Sequence, residues 1–317
     1  MSLFKKEVII LKESNAAKEY LTGLEKLYTI APEKVKPLIE KEIKLTKYGI
    51  AGEENILFEL RHSDMDMVVL QDLYLSTGDI SAQIDFFVIT PKINFMIECK
   101  NLYGNIEITN NGDFIRTFEV GGRKIKEGIY SPITQNERHL SVLKKIKLDE
   151  NGVIGRASVS MFFETINKSL VVLANPNTIL NDRYARKEVK EKVIRADQLL
   201  SVIKEMNNAS KELKSSMKEM LESGKRMISR STEYNGFESR YEKLAKMVEE
   251  EKKVDMTTEQ LQEVKESTVS KDSEDVQVCP RCGKELVLRT AKKGENAGKQ
   301  FYGCSGFPKC RYVKNME

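Results

Sequence analysis

The chain has 317 residues, 40% hydrophobic and 32% charged, a soluble composition with core enough for one or two globular domains. Its formal net charge of +4 is too small to name a partner, but residues 279–317 hold nine Lys or Arg against three acids, an excess of six. A short basic module of that kind points to a polyanion.

In chain order, the opening MSLFKKEVIILKES has an early charge and a short apolar run, VIIL, far below the length of a signal-peptide core or a membrane span. A cytoplasmic protein without membrane contact is expected. Residues 1–44 are expected to be a helical segment, and residues 13–60 read mainly as helix. Within KYGIAGEENILFELRHS, Glu53, Ile56, Leu57 and Leu60 share one helical face. The pattern then changes to short β-type runs, DMVVLQDLYL, AQIDFFVIT, INFMIECKN, NIEIT and DFIRTFEV, separated by turn residues. Pro132 opens a helix to about Lys147, and SLVVLANP is a further buried strand. Residues 45–180 are therefore expected to form one α/β domain.

Residues 181–265 are charged and largely helical. Leu199, Leu200, Ile203 and Met206 form one stripe, and Leu213, Met217, Met220 and Leu221 another. Helices packed on the domain are the simpler reading, and a homo-oligomeric or partner-binding coil is the alternative. Residues 266–278 lack a core pattern and read as a flexible linker.

The stretch AQIDFFVITPKINFMIECKN carries the chemistry. If its two runs pair as a hairpin with a four-residue loop around Pro91-Lys92, each pair of positions sums to 183 and Asp85 lies opposite Glu98. Opposed side chains have Cβ atoms about 5 Å apart. Two carboxylates at that distance repel unless a proton or a cation lies between them, and oxygen-only ligation selects Mg²⁺ or Mn²⁺. Alternation puts Glu98 and Lys100 on one face and points Cys99 away, as a core residue. A metal of this kind activates water for phosphodiester hydrolysis, and a lysine beside that water positions it and offsets growing charge. With only His62 and His139 in the chain, histidine-centred catalysis has few candidates. An ordinary Glu–Lys surface pair is the plain alternative.

Gly52-Glu53, Q-I-D-F-F-V-I (83–89), I-E-C-K-N (97–101) and P-x-x-Q-N (132–136) resemble the nuclease-related domain, NERD, of the PD-(D/E)XK superfamily, over about residues 45–150. The resemblance implies a restriction-endonuclease-like core of mixed sheet flanked by helices. In such a core Asp85 and Glu98 bind Mg²⁺ and Lys100 is catalytic. Glu53 matches the acid of the first core helix and completes the metal shell, with Glu54 as the alternative. Gln135 matches a polar residue of the later helix that contacts substrate or metal-bound water. Phe86 stands where many members of the family have histidine, so a mechanism using that histidine is in doubt.

Cys279-Pro-Arg-Cys282 and Cys304-(five residues)-Cys310 supply two knuckles and four thiolates, the ligand set of a closed tetrahedral zinc site. A redox dithiol is the alternative. C-P-x-C-G and F-Y-G-C-S-G-F-P-K-C resemble the zinc ribbons at the C-terminal end of bacterial DNA topoisomerases, which bind single-stranded DNA. Phe301, Tyr302, Phe307 and Tyr312 are interleaved with Lys299, Lys309, Arg311 and Lys314, so rings can stack bases while cations hold phosphates. Some of these rings are also needed as the ribbon's own core. A metal-dependent DNA nuclease tethered to a DNA-binding ribbon is thus expected, with a non-catalytic DNA-binding scaffold as the alternative; no residue separates DNA from RNA.

Overall fold

A computed structural model describes residues 6–269, 277–293 and 295–315, the side chains of 255–269 excepted. The chain divides into two compact units, Met1–Glu249 and Glu250–Glu317.

In the first unit the elements run β1 (Val8–Lys12), α1 (Ala16–Ile30), α2 (Lys36–Arg61), β2 (Met67–Thr77), β3 (Ile80–Ile89) and β4 (Asn94–Lys100). Then follow β5 (Asn105–Ile108), β6 (Phe114–Val120), β7 (Arg123–Ile129), α3 (Pro132–Asp149), α4 (Val153–Ile166) and β8 (Asn167–Leu173). The remainder is β9 (Leu180–Asn181), α5 (Lys187–Lys190), β10 (Val193–Arg195), α6 (Leu199–Ala209), α7 (Met217–Arg230) and the start of α8 (Gly236–Val269). The fold is α/β. Its main sheet is mixed, in the order β1-β2-β3-β4-β8-β10, and a second sheet runs β7-β6-β5-β9.

The central strands carry near-continuous apolar runs because both faces of the sheet are covered. On one face Ile56, Leu57 and Leu60 of α2 and Leu199 and Ile203 of α6 pack on Phe86, Val88, Phe95 and Ile97. On the other, Val142, Leu143 and Ile146 of α3 and Met220 and Met227 of α7 pack on Phe87, Ile89 and Met96. The stripes of residues 181–265 therefore serve the domain's own core at Leu199, Ile203 and Met220, whereas Leu213 is exposed.

The structure differs from the sequence reading in the N-terminal segment. VIIL lies in an edge strand, β1, parallel to β2, so residues 1–44 are not helical throughout. Residues 13–60 are mainly helix, as read, but in two pieces, since extended Ala31 ends α1 and Pro37 stands in the first turn of α2. Strand β7, which completes a hairpin with β6, and α4 were not foreseen. The expected linker, 266–278, lies largely outside the described residues.

The second unit contains β11 (Leu286–Thr290), β12 (Gln300–Cys304) and β13 (Val313–Asn315), an antiparallel three-stranded sheet. No helix among the described residues is long and apolar enough to cross a membrane.

Candidate active site

The β3–β4 hairpin has the anticipated register: Phe86 pairs with Ile97, Phe87 with Met96, Val88 with Phe95 and Ile89 with Asn94, each summing to 183. Residues 90–93 form the connection, closed by the Thr90 amide donating to the Ile93 carbonyl at 3.1 Å. The ladder stops at Phe86↔Ile97, one step before Asp85 and Glu98. There the Asp85 carboxylate turns onto β4 and accepts the Cys99 amide at 2.7 Å.

The same point is a kink in the sheet. Val68 and Leu70 face one core, but so do Leu73 and Leu75, and on β3 Phe87 and Ile89 share that face with Ile84 and Ala82. Simple alternation therefore slips on both strands, at Asp72 and at Asp85. Asp72 takes up the distortion with a left-handed φ of 55°, uncommon for a residue other than glycine. Its carboxylate accepts from Ser14 Oγ at 2.6 Å and Gln83 Nε2 at 3.0 Å. Lys12 Nζ binds the carbonyls of Gln71, at 3.0 Å, and Asp72, which ties β1 to the kink.

Glu98 is buried beside α3. Its Oε1 accepts from Lys100 Nζ at 2.5 Å and from Gln135 Nε2 at 2.7 Å, and Gln135 Oε1 accepts from Lys100 Nζ at 3.0 Å. Gln135 is thus brought into contact with both strand residues. Helix α3 is set for this by Ser131, whose hydroxyl accepts the Thr134 amide, and by Pro132 at its first position. Asn136 fixes the helix to the sheet by donating to the carbonyls of Met96 (2.9 Å) and Leu170 (3.0 Å).

Glu53 comes from α2 and is held by Gln71 Nε2 at 2.9 Å. Glu54 is exposed and paired with Lys18 at 2.7 Å, away from the acids of the sheet. Gly52 allows α2 to approach β4, because a Cβ there would lie 2.6 Å from Asn101 Cβ and 3.1 Å from Cys99 Sγ. Cys99 packs against the α2 side, as expected, and burial followed by repulsion from Asp85 holds its thiol well above the usual range.

The acids repel one another. Burial first, then Glu98 and Glu53, pushes Asp85 well above the ordinary carboxylate range, against the opposing Cys99 amide and Lys100. Burial likewise raises Glu53, with the Gln71 hydrogen bond opposing and Asp72, Glu54 and Glu98 adding to the shift. Glu53, Asp85 and Glu98 are each turned onto a separate donor. Among the described residues, only the four cysteines form a group of three or more whose ligand atoms all lie within 4.8 Å of one another.

The sequence reading missed two neighbours of this site. His139, one turn beyond Gln135, places Nδ1 3.5 Å from Glu98 Oε2, too far for a hydrogen bond, so this buried nitrogen has no hydrogen-bond partner. Burial lowers its pKa, against the attraction of Glu98. The i, i+4 spacing of Gln135 and His139 was the available signal. Gln71, which holds Glu53, carried no such signal, because it sits inside an apolar strand.

In the second unit Cys279, Cys282, Cys304 and Cys310 converge, with Sγ atoms 3.7 Å apart for Cys279 and Cys310 and 3.4 Å for Cys282 and Cys304. A tetrahedron of thiolates about 2.3 Å from zinc has edges of about 3.8 Å, so the cluster supports a structural zinc with no open position. Gly283, at φ 70°, turns the first knuckle. The aromatic residues divide. Tyr302 and Tyr312 pack against the core of Cys279, Leu286 and Cys304. Phe301, Phe307, Arg311 and Tyr312 line a groove of about 300 Å³ together with Arg289, whose guanidinium lies 6.0 Å from the Phe307 ring. Arg289 had not been singled out. Lys299 and Lys309 are exposed and do not line the groove.

Comparison with known proteins agrees with both units. Residues 48–174 match the family described as nuclease-related domain, and residues 276–317 match the topoisomerase DNA binding C4 zinc finger. DNA topoisomerase 1 of Helicobacter pylori is 46% identical over 41 residues, 13% of this chain and 5% of the relative. DNA topoisomerase 1 of Methanothermobacter thermautotrophicus is 44% identical over 39 residues, 12% of this chain and 5% of the relative. The uncharacterized protein YrdD of Escherichia coli is 46% identical over 39 residues, 12% of this chain and 19% of the relative. The chain thus spans only about 5% of the topoisomerases' own length. No solved structure matches. The chain therefore carries a nuclease-related domain over residues 48–174 and a topoisomerase-type C4 zinc ribbon over residues 276–317.

Proposed function

We propose that the first unit is a metal-dependent nuclease of the PD-(D/E)XK type, hydrolysing phosphodiester bonds in DNA, and that the ribbon binds single-stranded DNA. The observation that carries the reading is the gathering of Asp85, Glu98, Lys100 and Gln135 at the kinked end of the β3–β4 hairpin, with Glu53 facing them electrostatically from α2. Three acids whose burial and mutual repulsion oppose their ionisation, a cost that a bound cation would relieve, fit a hard divalent cation with oxygen ligands. Asp85, Glu98 and Glu53 would hold it, and when bound, Mg²⁺ or Mn²⁺ polarises the phosphoryl oxygen and acidifies a water.

The remaining work falls to this chain's residues. Lys100 has three N–H donors and spends two on Glu98 and Gln135, leaving one for the attacking water or a phosphate oxygen. Gln135 fixes the ammonium from the other side, so its position is set before substrate arrives. His139 stands beside Glu98 and acts as a positioning residue through that carboxylate. Neither Cys99 nor the ribbon's metal takes part. In the ribbon, Phe301 and Phe307 offer stacking faces, and Arg289 and Arg311 offer phosphate contacts.

The test is incubation of the zinc-loaded full chain with end-labelled single- and double-stranded oligonucleotides, with Mg²⁺, with Mn²⁺ or with no added divalent ion. Cleavage that needs the ion and falls by at least about 10²-fold in Glu98→Gln is expected, since such electrostatic groups supply effects of that order. Cleavage that survives Glu98→Gln contradicts the assignment, and DNA binding without cleavage under any ion favours a non-catalytic scaffold.

A further inference from the structure

The β6–β7 hairpin has no part in the chemistry above, yet it stands at the carboxyl ends of β4 and β8 where Lys100 lies. Tyr103 follows Lys100 by three residues, at most about 10 Å along the chain. Its ring is 55% exposed and meets Phe118 of β6 edge-on, with centroids 6.4 Å apart. The Arg116 guanidinium covers the Phe118 ring at 4.5 Å and is fixed there by Glu127. Beside these rings is a cavity of about 400 Å³ floored by Gly104 and Asn105 and bounded by Thr117, Lys124, Asn175 and Asn177.

The corner is closely packed. Gly104 has φ 100°, and a Cβ there would lie 2.5 Å from the Thr117 carbonyl oxygen and 2.7 Å from Phe118 Cβ. Asn175 Nδ2 and Thr178 Oγ1 both donate to the Leu102 carbonyl, at 3.0 and 2.9 Å. Leu102, immediately before Tyr103, is thereby tied to the segment after β8. The charge is uneven as well. Lys126 is paired with Glu107, whereas Arg123 and Lys124 on exposed β7 make no ion pair among the described residues, and Glu119 is the one acid lining the cavity.

An exposed tyrosine ring, packed against a half-buried, cation-covered phenylalanine and flanked by further unpaired cations, supplies the elements of a platform for unstacked bases and their phosphates. A duplex offers no free base face to such a corner. We propose that Tyr103 and Phe118, with Arg116, Arg123 and Lys124, form a subsite for the single-stranded nucleotides flanking the scissile phosphate. This rests on the nuclease reading of the neighbouring acids and extends it: the strand entering or leaving the site is unpaired, and its bases are read by stacking, without sequence preference.

Photocrosslinking tests the subsite without relying on cleavage. The zinc-loaded full chain, without added divalent ion, is irradiated with a bromouracil-substituted single-stranded oligonucleotide and the adducts are mapped by mass spectrometry. Adducts on the peptides holding Tyr103 or Phe118, lost in excess duplex-free competitor but retained in excess duplex, are expected. Adducts confined to the ribbon overturn the proposal. In parallel, Tyr103→Ala, which changes an exposed side chain, should raise KM for single-stranded substrate by about tenfold with kcat little changed. Lys124→Glu should lower the salt dependence of binding by about one phosphate. Unchanged KM together with an unchanged salt slope in these two variants overturns the subsite. A wild-type chain that crosslinks here but never cleaves overturns the nuclease reading and leaves the binding site standing.

Discussion

Asp85 shows what the candidate site does to a single residue. Buried against two other acids, it holds its proton above the unfolded value of 3.8. The folded state therefore binds a proton that the unfolded chain has released, and stability falls as pH rises from near 3.8 to the raised value. Above that the loss is constant. Without added divalent ion, Asp85→Asn should remove this slope and stabilise the protein at pH 7 by roughly 1–3 kcal/mol, the usual cost of a poorly satisfied buried group. Melting temperature against pH checks it, and a destabilised variant with an unchanged slope would refute it. Mn²⁺ should raise the melting temperature of the wild type and not of this variant. Gly52→Ala is predicted to cost roughly 1–3 kcal/mol, because its Cβ meets Asn101 and Cys99 and forces α2, with Glu53, away from β4; urea unfolding measures this. Residue parity around Pro91-Lys92 was enough to read the hairpin register. It was not enough to place the Asp85 carboxylate, since the slip of alternation at Asp72 and Asp85 depends on three strands meeting.

Among the elements, α3 brings two side chains to the acids of the sheet. It delivers Gln135 and His139 to one carboxylate and is pinned by Asn136 between β4 and β8. Replacing Asn136 by Ala removes two buried hydrogen bonds and should cost roughly 2–3 kcal/mol, seen as a lower urea midpoint with an unchanged slope. Its activity loss should exceed that of an exposed α3 substitution such as Ser141→Ala. The helix itself was legible from Pro132 and the residues after it, whose spacing and cap are local. Strand β1 was not legible, because five apolar-rich residues fit a helix or a strand equally well. What decides is β2, which offers a parallel edge, and Lys12, which caps the carbonyls at the kink. The β6–β7 hairpin was half seen: DFIRTFEV reads as a strand, while RKIKEGI carries too many charges on its exposed face to stand out.

At the scale of the whole molecule, the proposed chemistry belongs to the first unit and the proposed attachment to DNA to the second. The four cysteines and their close pairs were legible because metal ligation fixes residue type and spacing at once. Which rings stay outside the ribbon core was not legible, since Tyr302 and Phe301 are adjacent and only the sheet's face divides them. Cys304→Ser in the full chain should lower zinc content from about one per chain and weaken single-stranded DNA binding. It should leave the thermal transition of the first unit in place, which calorimetry with parallel metal analysis can check. If that transition is lost with the zinc, the units do not fold independently.

The central claim is that Asp85 and Glu98 hold a divalent ion that Lys100 then exploits. It is tested most directly by measuring Mn²⁺ binding and oligonucleotide cleavage side by side in the wild type, Glu98→Gln and Lys100→Ala. The account predicts cleavage and binding in the wild type, neither in Glu98→Gln, and binding without cleavage in Lys100→Ala. Full cleavage by Lys100→Ala, or tight Mn²⁺ binding by Glu98→Gln, would contradict it.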